Sequence, residues 1–150
     1  MRTLLVIDDN PSVRDTLAIV LGARGYSVVS AESGEIGLAL ARQQIIDGAL
    51  VDIRMVGIDG VAVCRELHAI AQANGRRIPV WLITGAYSTE IAALGKEAGA
   101  VAVLRKPFDL STLCQELEAQ WLAETGAVTA TEGTSTPAAS SSPPVSGSAL

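Results

Sequence analysis

Five residues carry groups that could act on one substrate: the carboxylates of Asp8, Asp9 and Asp52, the hydroxyl of Thr84 and the ammonium of Lys106. They lie far apart in the chain, yet each sits at or just beyond the end of a short apolar run. Brought to one edge, three carboxylates repel strongly. Two unit charges about 4 Å apart cost roughly 4 kcal/mol at an effective dielectric near 20. A hard divalent cation and the Lys106 ammonium are the candidates to offset that cost. An all-oxygen site with few protein ligands suits Mg²⁺. A carboxylate so neutralised can attack phosphorus and form an aspartyl-phosphate. Phosphoryl transfer then needs mainly positioning and charge compensation of the equatorial oxygens. Each residue alone has an ordinary reading as well. Asp8 and Asp9 could cap a helix, Asp52 could be a turn residue, Thr84 a satisfied strand-end hydroxyl and Lys106 a solvated charge.

The elements that must position these groups follow from the hydrophobic pattern. Apolar runs at Leu4–Ile7, Tyr26–Ala31, Ala49–Ile53, Val80–Ile83 and Val101–Leu104 have strand length without strict alternation, as expected for strands covered on both faces. Amphipathic segments separate them. Val13, Leu17, Val20 and Leu21 line the first, Val61, Cys64, Leu67, His68 and Ala71 the third, and Leu110, Leu113, Cys114, Leu117 and Trp121 the fifth. Asn10-Pro11 is a helix start, and Gly25, Gly75 and Gly99 stand where helices should stop. Five consecutive β-α units predict an α/β fold, a parallel sheet with helices on both faces. In such sheets ligands bind at the carboxyl ends of the strands, where the five groups fall.

Composition narrows the class. The 150 residues are 49% hydrophobic but only 3% aromatic, so the core is aliphatic. A net charge of −5 without a basic stripe argues against direct nucleic-acid binding. Cys64 and Cys114 lack metal-ligand spacing and read as buried free thiols. The apolar stretch before Asp8 is too short for a signal peptide or a membrane span, so a cytoplasmic protein is expected. From Thr125 to Leu150 nearly every residue is Ser, Thr, Pro, Gly or Ala. The expected organisation is therefore one domain over residues 1–124 and a disordered tail over 125–150. His68, on the inner side of the third helix, reads as a packing residue.

Val6-Ile7-Asp8-Asp9-Asn10, Asp52-Ile53-Arg54-Met55 with Asp59-Gly60, Thr84-Gly85-Ala86 and Lys106-Pro107-Phe108 occur in an order and spacing that resembles the receiver domains of bacterial two-component response regulators. The resemblance covers roughly residues 3–122. It implies a flavodoxin-like strand order 2-1-3-4-5. It also implies Asp52 as phosphoryl acceptor, with Asp8, Asp9, Asp52 and the Arg54 backbone carbonyl around Mg²⁺. Thr84 and Lys106 would contact the phosphoryl group, and the Lys106–Pro107 bond would be cis. The implied donor is a histidine kinase or a histidine phosphotransfer protein. The protein would catalyse only its own phosphorylation and dephosphorylation. Output would pass to a protein target, or a homodimer, through the fourth helix, fifth strand and fifth helix, at Ile91, Leu94, Val103 and Leu110–Leu122. No DNA-binding or enzymatic output domain fits after Leu122, so a stand-alone regulator is expected.

Two positions depart from the family pattern. Val56 stands four residues after Asp52, where the family usually has Pro. Val103 stands three before Lys106, where an aromatic is common and swings inward with the Thr; its absence puts the usual output route in doubt. A receiver-like scaffold that works without phosphorylation is the alternative this leaves open. An aspartate-nucleophile phosphatase would need Asp-x-Asp after the first strand. A flavin-phosphate binder would not place two carboxylates in its first loop.

Overall fold

The computed structural model of the protein describes the backbone of residues 1–133 and the side chains of residues 1–124. Five strands and five helices alternate among the described residues: β1 (Thr3–Ile7), α1 (Pro11–Ala23), β2 (Ser27–Ala31), α2 (Gly34–Gln43), β3 (Gly48–Asp52), α3 (Gly60–Ala73), β4 (Val80–Thr84), α4 (Thr89–Glu97), β5 (Ala102–Arg105) and α5 (Leu110–Gly133). The strands form one parallel sheet in the order β2-β1-β3-β4-β5. Strand order reverses direction at β1, so β1 and β3 leave their carboxyl ends side by side and open a crevice between the loops that follow them.

Burial explains why the apolar runs do not alternate. Every residue of β3 and β4, and all of β1 after Thr3, is buried, whereas edge strands β2 and β5 are largely half-exposed. One face of the sheet carries Leu5, Ile7, Ala49, Val51, Val80 and Leu82, packed in a cluster with Leu38 and Ala41 of α2 and Val63, Cys64 and Leu67 of α3. The other face carries Leu4, Val6, Leu50, Trp81 and Ile83, all buried. Helix α1 lies along β1 and β2 and buries Leu17 and Leu21.

Local signals start and stop the helices. The Asn10 side chain accepts from the Ser12 amide, and Pro11 opens α1 with a missing N–H that costs nothing there. Asp59 caps α3 in the same way through the Ala62 amide. Gly25, Gly75 and Gly99 follow helix ends at positive φ, as expected from their spacing.

Residues from Phe108 form a separate compact unit. Its helix α5 buries Leu113, Cys114, Leu117 and Trp121, the stripe expected from the 3–4 spacing. The backbone of α5 is described to Gly133, nine residues past the expected boundary after Glu124. Residues 134–150 of the expected tail lie outside the described residues. Among those described, no helix is long and apolar enough to cross a membrane.

Candidate functional site: an acidic cluster bridged by one lysine

The ends of four strands deliver the site. Asp8 follows β1 and is 2% exposed, Asp52 ends β3 at 6%, and Thr84 ends β4 at 1%. Lys106 follows β5. Asp8, Asp52 and Thr84 are the only buried polar or charged residues among those described, and burial of that kind requires partners.

Lys106 supplies them. Its Nζ lies 3.0 Å from Asp8 Oδ2 and 3.3 Å from Asp52 Oδ2, one ammonium bridging two buried carboxylates. The remaining oxygens are met by backbone. Asp8 Oδ1 accepts from the Asn10 amide at 2.9 Å, and Asp52 Oδ1 accepts from the Arg54 amide at 3.3 Å. The first helix is thus capped by Asn10, while Asp8 turns away from that role. Asp9 is exposed, and its carboxylate joins those of Asp8 and Asp52 with oxygens within 4.8 Å of one another. The Lys106 amide donates to the Thr84 carbonyl at 2.7 Å, which fastens the loop after β5 to the end of β4. Thr84 Oγ1 accepts from the Ala86 amide at 3.0 Å, which leaves its own hydrogen available to an acceptor in the crevice. The Lys106–Pro107 bond is cis.

Electrostatics follow from this packing. Burial raises the Asp52 pKa above its ordinary value, the nearby Asp8 charge raises it further, and Lys106 and the Arg54 amide oppose both. Burial alone would lower the Lys106 pKa, but the hydrogen bonds and charges of Asp8 and Asp52 outweigh it and raise it. Three carboxylates against one ammonium leave a net negative site. Oxygens around an octahedral Mg²⁺ at about 2.1 Å lie roughly 3 to 4 Å apart. The observed cluster is close to that spacing, and its donor set is all oxygen, so these residues could hold such an ion.

Three supporting residues escaped the sequence reading, and Gly60 entered it only as part of a motif. Arg14 Nη1 donates to the Asp8 carbonyl at 2.7 Å; a cation in the first turn of a helix, where the dipole disfavours it, was the available signal. Gly60 packs on the end of β3: a Cβ there would overlap the Asp52 carbonyl oxygen and sit 2.6 Å from Ile53 Cα. Gly95 of α4 does the same against Val103 Cγ2, so α4 approaches β5 closely where the family carries an aromatic. Tyr87, in the loop after β4, has its ring 5.3 Å from the Arg105 guanidinium. The expected bland roles hold elsewhere. His68 Nδ1 meets the Ala98 carbonyl at 3.0 Å, and Cys64 and Cys114 are buried free thiols.

Comparison with known proteins agrees with this geometry. The response regulator receiver domain family matches residues 4–118. Protein PilH of Pseudomonas aeruginosa is 36% identical over 119 residues, covering 79% of this chain and 97% of PilH. The transcriptional regulatory protein ZraR of Salmonella typhimurium is 37% identical over 115 residues, 77% of this chain; the match spans only 25% of ZraR. Chemotaxis protein CheY4 of Vibrio cholerae superposes with a TM-score of 0.73 at 29% identity, covering 79% of this chain and 98% of that one. A Burkholderia pseudomallei response regulator, solved with a phosphorylated aspartic acid and a calcium ion, superposes at 0.69 with 26% identity, covering 83% and 75%. With five parallel strands in the receiver order and the acidic cluster at their carboxyl ends, the chain belongs to the receiver-domain family of two-component response regulators.

Proposed function

We propose that this protein is a phosphorylation-activated response regulator that takes a phosphoryl group on Asp52 from the phosphohistidine of a kinase or phosphotransfer protein. The observation that carries the reading is the Lys106 bridge between Asp8 and Asp52 beside a third carboxylate, with the Thr84 hydroxyl hydrogen available nearby. In the transfer, an Asp52 oxygen forms the new O–P bond as the N–P bond breaks, and the electron pair of that bond returns to the donor imidazole. Lys106 and the Thr84 hydroxyl would hold equatorial oxygens of the phosphoryl group. Mg²⁺, held by Asp8, Asp9, Asp52 and the Arg54 carbonyl, would supply charge neutralisation. The residues beside Asp9 suit a protein donor. A cleft of about 680 Å³ is lined mainly by Ile53, Met55, Val56, Val61, Ile91 and Leu94, with Arg54 and Arg65 also lining it.

Residues 1–124 are proposed as the functional unit, passing its signal on through protein contacts. Val103 carries no aromatic ring to swing inward, and it lies against α4 at Gly95. The loop Gly85–Ser88 is the proposed relay toward a target on α4 and β5, since its Ala86 amide is tied to Thr84 and its Tyr87 ring to Arg105. The test is incubation with acetyl phosphate and Mg²⁺ followed by mass spectrometry. One acid-stable, base-labile phosphate should appear in the wild type and none in Asp52→Asn. Full labelling of Asp52→Asn would overturn the assignment.

A further inference from the structure

Asp9 is the exposed member of the acidic cluster, and among the described residues its carboxylate has no hydrogen-bonding partner. What the fold fixes is therefore the backbone from which that side chain departs. That backbone is held one residue earlier. The Asp8 amide donates to the Ala31 carbonyl of β2 at 3.1 Å, and the Asp8 carbonyl accepts from Arg14 Nη1 at 2.7 Å. The Asp8 carbonyl and the Asp9 amide share one planar peptide unit. Fixing the oxygen fixes the plane, and with it the position of the Asp9 Cα from which the side chain departs.

From this we infer that Arg14 is a positioning residue for the metal site, holding the Asp8–Asp9 peptide so that the Asp9 carboxylate faces the Asp8 and Asp52 oxygens. The inference rests on the proposed Mg²⁺ site. The residue type fits the role. Arg14 lies in the first turn of α1, the end where the helix dipole disfavours a cation, and its short charge-assisted contact offsets that placement. A guanidinium is planar and rigid, so its donors are already arranged when the contact forms. Arg14 touches the peptide and not the carboxylate, so it orients the site without competing with the ion for ligands.

The experiment is Mg²⁺ titration of the full chain, followed by the amide resonances of Asp9 and Asn10, with thermal unfolding in EDTA as a parallel measure of the fold. Wild type should bind Mg²⁺, and Asp9→Asn should weaken binding at least tenfold. Arg14→Met, which keeps the stem and loses the donor, should weaken Mg²⁺ at least fivefold, and Arg14→Lys should fall between it and wild type. A purely structural tether would lower the melting temperature in EDTA and leave the Mg²⁺ affinity alone. If Arg14→Met does not fold, Arg14→Gln replaces it with the same expected loss. Mg²⁺ affinity within twofold of wild type in the folded Arg14 variant overturns this inference alone, provided Asp9→Asn has lost binding. Absence of Mg²⁺ binding in the wild type overturns both this inference and the metal site on which it rests.

Discussion

Replacing Lys106 by Met tests the charge balance of the site directly. At 3.0 and 3.3 Å the ammonium attracts Asp8 and Asp52 by about 5.5 and about 5 kcal/mol at an effective dielectric near 20. Those gross values are offset by dehydration of the three groups. Breaking a buried pair by removing one partner typically costs about 3–5 kcal/mol. Lys106 keeps 26% of its side-chain surface exposed, which places the expected loss at the lower end, about 3 kcal/mol in Mg²⁺-free buffer at pH 7.5. The pH dependence has a definite sign. Asp52 already has a folded-state pKa above its ordinary 3.8, and Lys106 is a principal opposing influence. Without it the pKa rises further. An acid whose pKa is raised on folding costs stability at pH values above the folded-state pKa, and the cost fades as pH falls toward the unfolded value. The stability gap between wild type and Lys106→Met should therefore narrow from pH 7.5 to pH 5. Urea unfolding followed by circular dichroism measures both quantities, and the neutralised double variant Lys106→Met/Asp52→Asn should recover at least half of the loss. A loss below about 1 kcal/mol at pH 7.5, or a gap that widens on acidification, would refute the argument that one ammonium compensates two buried carboxylates.

Gly60→Ala should cost more than about 2 kcal/mol in the same assay and slow phosphorylation of Asp52, because the added Cβ meets the backbone of Asp52 and Ile53, which cannot rotate away. Gly95→Ala should cost about 1–3 kcal/mol by overpacking, and Val103→Ala in the same chain should restore part of it, since the clash is with Val103 Cγ2. Cys64, whose thiol burial pushes up to about 11, should resist iodoacetamide at pH 8 in folded protein and react once urea exposes it. Truncation after Glu124 should leave the melting temperature nearly unchanged, because Trp121 is the last buried side chain described on α5; a large drop would show that the later residues stabilise the domain.

The sequence alone determined the elements, their order and the identity of the groups that cluster at the strand ends. Those features are local: apolar runs of strand length, the Asn10-Pro11 start of α1, the glycines after α1, α3 and α4, and carboxylates at strand ends all write their meaning into neighbouring residues. The resemblance carried by Asp8-Asp9, Asp52, Thr84 and Lys106-Pro107 added the strand order, which periodicity cannot rank. Tertiary structure decided how the groups meet. Lys106 and Asp8 are 98 residues apart, and only the crossovers between parallel strands bring them to 3.0 Å. The Arg14 contact to a backbone carbonyl, the seat of Gly60 on Asp52 and the approach of α4 to Val103 through Gly95 are likewise invisible in sequence. They join side chains to backbone, or fill space where a side chain is missing, and neither leaves a pattern of residue types.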